Sequence, residues 1–120
     1  MKTQSLFKAF VHAGSGIAWF FTHDRNGKIH LVAAVLVTII GFQFHLAITE
    51  WEVLLLCFAL VISLEMINHA IEKLADVAHP EQHPLIKTAK DVAAAAVLWS
   101  TILAVIIGAL IFIPKLETLL

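Results

Sequence analysis

The sequence has 120 residues, of which 60% are hydrophobic, and its formal net charge at pH 7 is −1. A mean hydropathy of +0.90 exceeds what a soluble domain carries, so we predict an integral membrane protein with one domain over residues 1–120. The near-neutral charge provides no basic surface, and we expect no nucleic-acid partner.

The first predicted element is an amphipathic surface helix at about residues 5–22. Small and polar residues at 14–16 interrupt its apolar sequence, which has no signal-peptide cleavage pattern. Large apolar side chains are interspersed there with Lys8 and His12. This pattern is typical of a helix that lies in the membrane surface.

Three membrane spans are predicted, at about residues 30–48, 51–78 and 86–113. The first and third are almost continuously apolar, and their apolar sequences would be about 27 and 33 Å long as α-helices. These lengths suit the hydrocarbon core of a bilayer. The fold class is therefore all-α, a surface helix followed by three transmembrane helices.

The middle span carries a polar stripe in its second half. At 100° per residue, its polar side chains fall within about 60° of Glu65. These residues are Glu65, Asn68, His69, Glu72 and Asp76. The opposite face stays apolar, which predicts a single helix that continues to Ala78 before Pro80 ends it.

The distribution of lysine and arginine predicts the topology. All but Lys115 precede the first span or lie between the second and third, namely Lys2, Lys8, Arg25, Lys28, Lys73, Lys87 and Lys90. The connection at 44–52 contains neither residue type. The positive-inside rule then places the N-terminus and the 73–90 segment in the cytoplasm.

The charged residues indicate phosphoryl transfer. Ionisable groups at the depth of Glu65 usually serve function, and Glu72 and Asp76 follow on the same helix face. Phosphoryl transfer needs acidic groups for Mg²⁺, a cation for the phosphate and a base for the acceptor hydroxyl. The sequence contains neither of the glycine-rich nucleotide-binding motifs G-x-x-x-x-G-K-S/T and G-x-G-x-x-G. Side chains of helices would therefore have to build the ATP site.

Several segments together resemble the bacterial membrane diacylglycerol kinase and undecaprenol kinase family. They are the Glu-Met-Ile-Asn-His-Ala-Ile-Glu sequence at 65–72, Asp76, the Lys-Thr-Ala-Lys-Asp sequence at 87–91 with the small residues after it, and residues 24–30. The resemblance covers nearly the whole chain. It implies a homotrimer in the bacterial inner membrane whose shared active sites face the cytoplasm, with Mg²⁺ and ATP as cofactors and diacylglycerol or undecaprenol as the acceptor.

The resemblance also implies roles for individual residues. Glu65 corresponds to the catalytic base and Asn68 to its polar neighbour. Asp24 and Glu72 correspond to the pair that holds the metal. Which of the two lipids is phosphorylated stays open, because acceptor choice depends on the shape of a groove between helices.

The nucleotide side of the implied site comes from the end of the second span and the start of the third. Asp76, Lys90 and Asp91 correspond to nucleotide and phosphate contacts. Glu81 and His83 correspond to a loop near the nucleotide. Read without the resemblance, this loop is a solvated turn in preference to a metal site, and Lys87 with Asp91 forms an i, i+4 pair.

Three positions depart from the family pattern. Asp24 stands where the family usually has Glu, His69 where it usually has Ser or Thr, and Ser5 near a position often held by Arg. The alternatives to a kinase are a small proton-coupled multidrug transporter that uses Glu65, and a membrane scaffold in which the charges only orient helices.

Overall fold

The computed structural model describes residues 5–120, which form four α-helices and no strand. They are α1 (Leu6–His23), α2 (Arg25–Gln43), α3 (Ile48–Ala78) and α4 (Pro84–Leu119). The topology prediction also used Lys2, which lies outside the described residues. α1 is amphipathic, and each of the other three helices is long and apolar enough to cross a membrane, which confirms the predicted fold class.

A single extended residue, Asp24, separates α1 from α2. Its backbone N–H donates to the carbonyl of Phe20, and its carboxylate accepts from the Gly27 N–H at 2.6 Å. Because this N-cap determines the start of the helix, α2 begins at Arg25 and not near residue 30, where the apolar sequence starts.

α2 also ends earlier than the apolar pattern indicates, at Gln43, and Ile48 belongs to α3. His45 has a left-handed φ of 53°, which interrupts the helix. At the start of α3, Glu50 Oε1 accepts a hydrogen bond from the Ala47 N–H at 2.9 Å. The boundary is therefore set by turn and capping geometry, which hydropathy does not register.

α3 and α4 form an antiparallel hairpin, the most extensive helix pair among residues 5–120. An ion pair joins the helices at each end: Lys90 Nζ lies 2.9 Å from Asp76 Oδ1, and Lys115 Nζ lies 3.0 Å from Glu50 Oε1. The two helices therefore stay in register along their length. Side chains near the loop that connects α3 to α4, such as Asp76 and Lys90, are consequently held close together.

α4 is longer than the predicted span at both ends. It begins at Pro84, which suits the first helical position because the missing N–H needs no partner there. It also continues through Pro114 to Leu119. Helices in membranes tolerate an internal proline when neighbouring groups satisfy the freed backbone positions.

Candidate active site

The polar stripe of α3 leads from the interior of the helix bundle to its surface. Glu65 and Asn68 are only 2% and 6% exposed, Glu72 is half-buried and Asp76 is exposed. Glu65 and Asp76 lie roughly 16 Å apart along the helix axis at the α-helical rise. The stripe therefore has a buried end suited to a reaction and an open end suited to a soluble substrate.

At the open end, α3, the connecting loop and α4 enclose a pocket of about 650 Å³, which we call the α3–α4 pocket. Six of the residues that sequence analysis selected line it: Glu72, Asp76, Glu81, His83, Lys90 and Asp91. All residues that were expected near the nucleotide therefore line this one pocket. Of the two residues expected to hold the metal, Glu72 lines it as well. A cavity of this size is within the usual range for small-molecule sites.

Two ion pairs arrange the charges in this pocket. Lys90 Nζ contacts Asp76 Oδ1 at 2.9 Å, and Lys87 Nζ contacts Asp91 Oδ2 at 2.6 Å, the i, i+4 pair expected from the sequence. The side chains of the second pair are 76% and 64% exposed. Exposed pairs of this kind are weak in water, so the lysines can exchange a carboxylate partner for a phosphate group.

The connecting loop is fixed by two imidazole rings. His83 caps α4, because its Nδ1 accepts from the Leu85 N–H at 3.1 Å. His79 Nδ1 donates to the carbonyl of Glu81 at 2.7 Å. Both rings thus use one nitrogen for the backbone, which holds Glu81 and His83 at the rim of the α3–α4 pocket.

A second polar group, the buried cluster, surrounds Glu65. Asp24 and Asn68 are the polar neighbours of its carboxyl group, and His30 Nε2 lies 3.8 Å from Glu65 Oε2. Glu65 Oε2, Asn68 Oδ1 and His69 Nε2 are buried without a hydrogen-bond partner in the described part of the chain. Buried polar atoms without a partner are rare in folded proteins, and a water molecule, an ion or a catalytic role commonly accounts for them.

The two residues predicted to hold metal both lie close enough to Glu65 to act electrostatically on its carboxyl group. Asp24 belongs to the buried cluster, whereas Glu72 lines the α3–α4 pocket. Within residues 5–120, no three Asp, Glu, His or Cys side chains are close enough to hold a metal by themselves. Mg²⁺ typically takes one or two carboxylates and completes its shell with phosphates and water. The adjacent acids Asp24 and Glu65 make the site electronegative, which fits such a cation.

Two histidines of the buried cluster were not predicted as site residues. His69 Nδ1 lies 2.8 Å from Asp24 Oδ1, and His30 contacts Glu65. Helical periodicity places His69 on the polar stripe but indicates no role for it. For His30 the only signal was a polar residue at the start of an apolar span, which does not distinguish a site residue from a helix end.

Comparisons with known proteins identify the relatives of this chain. The chain matches the profile of a family described as prokaryotic diacylglycerol kinase over residues 11–112. It is 46% identical over 110 residues to an undecaprenol kinase of Bacillus subtilis, covering 92% of this chain and 89% of that protein. It is 37% identical over 117 residues to a diacylglycerol kinase of Synechocystis sp., covering 97% and 67%. A diacylglycerol kinase of Helicobacter pylori is 32% identical over 93 residues, covering 78% and 73%.

Proposed function

We propose that this chain, which belongs to the prokaryotic diacylglycerol kinase family and is a membrane lipid kinase, transfers the γ-phosphate of Mg-ATP to the hydroxyl group of undecaprenol or diacylglycerol. Family membership leaves the transporter and scaffold alternatives without support. The observation that carries the proposal is the continuous polar stripe from buried Glu65 to the α3–α4 pocket. It connects the depth of a lipid headgroup to an opening for ATP.

ATP binds in the α3–α4 pocket in this proposal. Lys90 leaves Asp76 to contact phosphate oxygens, while Asp76 and Asp91 orient the nucleotide. Glu81 and His83 limit the pocket on the loop side. Mg²⁺, held by Asp24 and Glu72 together with the phosphates, would neutralise charge on the transferred group.

Glu65 is the proposed general base. Its carboxylate takes the proton of the lipid hydroxyl while that oxygen forms a bond to the γ-phosphorus, and the bond from phosphorus to ADP breaks. Burial keeps water away from this step, since Glu65 is 2% exposed. Asn68, one helical turn further on and also buried, is the proposed partner that orients the Glu65 carboxyl group.

We further propose that the protein is a homotrimer with shared active sites in the bacterial inner membrane. Large apolar side chains on the outer faces of α2 and α4, such as Val35, Leu98 and Val105, suit lipid or a neighbouring subunit. At ATP concentrations well below the KM of the Lys90→Ala variant, where each variant alone is weak, co-expressed Glu65→Gln and Lys90→Ala chains should regain activity if a site takes these residues from different chains. Failure to regain activity in proven mixed trimers would contradict sharing at these two positions.

One comparison of acceptors tests the function. Detergent-solubilised protein receives labelled ATP with either undecaprenol or diacylglycerol, and the phosphorylated lipid is measured at several lipid concentrations. We expect a higher kcat/KM for undecaprenol, because the Bacillus subtilis relative is more similar than the two diacylglycerol kinases. Glu65→Gln protein in the same micelles is the control. Absence of transfer to both lipids would overturn the proposal.

A further inference from the structure

The Asp24 carboxylate is held from two directions. Its Oδ2 accepts a hydrogen bond from the Gly27 N–H at 2.6 Å, and its Oδ1 lies 2.8 Å from His69 Nδ1. Because a carboxylate oxygen accepts, His69 Nδ1 carries the hydrogen and donates it. Both side chains are only 13% exposed, so water competes little for this contact. The hydrogen bond ties the corner between α1 and α2 to the polar stripe of α3.

Aromatic side chains of α1 fix the His69 ring. Trp19 and Phe20 meet the imidazole at steep angles, with ring centroids 5.2 and 5.8 Å away. Trp19 itself stacks on His23 at 4.1 Å, and Lys73 Nζ lies 5.9 Å from the Trp19 ring. These contacts restrict rotation of the imidazole, so its Nδ1–H stays directed at the Asp24 carboxylate.

This fixed donor opposes the repulsion between two neighbouring acids. Asp24 lies beside Glu65, and adjacent carboxylates repel each other strongly where water is excluded. A freely rotating aspartate would therefore turn away from Glu65 toward water. Two donors hold Asp24 in place, and each of its oxygens keeps a second lone pair for another ligand.

We infer that His69 is a positioning residue that holds the Asp24 carboxylate in the orientation in which it binds the divalent cation of Mg-ATP. The inference rests on the proposed kinase function. Groups that orient metal ligands commonly change metal affinity by about 10- to 100-fold when they are lost. Asp24 and His69 are also two of the positions where the chain departs from the family pattern, and here the two side chains contact each other.

Three substitutions at His69 separate hydrogen-bond donation from ring packing. His69→Asn keeps an N–H near the position of Nδ1, His69→Gln places its N–H near the position of Nε2, and His69→Leu has none. Mn²⁺ is the probe, and its binding is followed by electron paramagnetic resonance with a non-hydrolysable ATP analogue, so no turnover is needed. We expect Gln and Leu to raise the Mn²⁺ Kd about tenfold or more, and Asn to raise it less than about threefold.

The Asp24→Asn background provides the control. Asparagine still caps α2 but removes the charged ligand. In this background His69→Gln should cause no further loss of Mn²⁺ affinity, because the group that it positions is gone. Equal Mn²⁺ affinities of wild type and His69→Gln, or additive losses in the double variant, would overturn the inference. If His69→Leu does not fold, the comparison of Gln with Asn decides.

The two proposals fail in different ways. A wild-type protein that phosphorylates neither lipid contradicts the proposed function, while the Mn²⁺ series still measures the effect of His69 on the cation. If the wild-type protein phosphorylates lipid but all three His69 variants bind Mn²⁺ as tightly as wild type, only the role of His69 is contradicted.

Discussion

Lys90 Nζ lies 2.9 Å from Asp76 Oδ1, which joins the start of α4 to the end of α3 at the mouth of the α3–α4 pocket. The side chains are 36% and 63% exposed, so an incoming anion can reach both. The second pair between these helices, Lys115 with Glu50, lies at the opposite end of the hairpin. The molecule therefore contains a matched ion pair remote from the site.

Lys90→Ala should raise the KM for ATP about tenfold, because it removes a charge-assisted hydrogen bond to phosphate. Lys115→Ala is the matched control, since it also removes a lysine that pairs α3 with α4. Initial rates over an ATP titration give kcat and the KM for ATP. A Lys90→Ala protein with the same KM as Lys115→Ala would mean that Lys90 only links the two helices.

Glu65→Gln should lower kcat by about 10²- to 10⁴-fold, the usual contribution of a positioned general base, with little change in ATP affinity. Glutamine keeps the size of the side chain but cannot take the proton. Glu72→Gln, in the α3–α4 pocket, should also weaken Mg-ATP binding. Glu52→Gln, exposed at the other end of α3, controls for the loss of one carboxylate from that helix. Near-normal kcat in Glu65→Gln would assign the base to another group.

Asp24→Glu should keep more activity than Asp24→Asn, because it retains a carboxylate and restores the residue usual at this position in the family, although glutamate is a weaker N-cap for α2. Asp24→Asn should instead require more Mg²⁺ and lower the rate. Asparagine is as good an N-cap as aspartate, so helix α2 is preserved and the change isolates the charge. Rates across a Mg²⁺ titration provide the measurement. Identical curves for Asp24→Asn and wild type would remove Asp24 from the metal site.

Gly41→Ala should destabilise the packing of α2 against α3. A Cβ at this position would lie 2.6 Å from Trp51 Cη2, and a tryptophan ring cannot easily move aside. Gly108 is the matched control, because a Cβ there has no neighbour within 4 Å. Both substitutions gain helix propensity, so Gly41→Ala should be less stable than Gly108→Ala by about 1–3 kcal/mol from overpacking. Unfolding in detergent with denaturant would reveal the difference, and equal stability would contradict the observed helix contact.

A single cysteine at Thr49 should react with a membrane-impermeant reagent only from the non-cytoplasmic side, and one at Gln82 only from the cytoplasm. Both positions are exposed, and Cys57 would first be replaced by alanine. Labelling of intact cells and of inside-out vesicles tests both positions. Reaction of the Thr49 cysteine only in inside-out vesicles would reverse the proposed topology.

Much of the α3–α4 pocket could be predicted because its residues are close in the chain. Asp76 and Lys90 lie on either side of a short loop, and a short loop requires the two helices that it connects to lie side by side near it. Helical periodicity similarly places Glu65, Asn68 and Glu72 on one face, because it depends only on their spacing in the chain. Helix ends were less accessible, because Asp24 and His45 act through capping and backbone geometry.

The sequence by itself determined three apolar helices, the polar stripe on α3 and the location of lysine and arginine at one end of the spans. Each of these features depends only on local composition and on the helical spacing of polar and apolar residues. Only the tertiary structure decided which distant groups meet. His69 and Asp24 are 45 positions apart, and their hydrogen bond requires the sharp corner at Asp24 and the packing of α1 beside α3. The contact of His30 with Glu65 depends likewise on how α2 lies against α3. Periodicity specifies the face of a helix, whereas the angle and distance between helices come from the packing of many side chains at once.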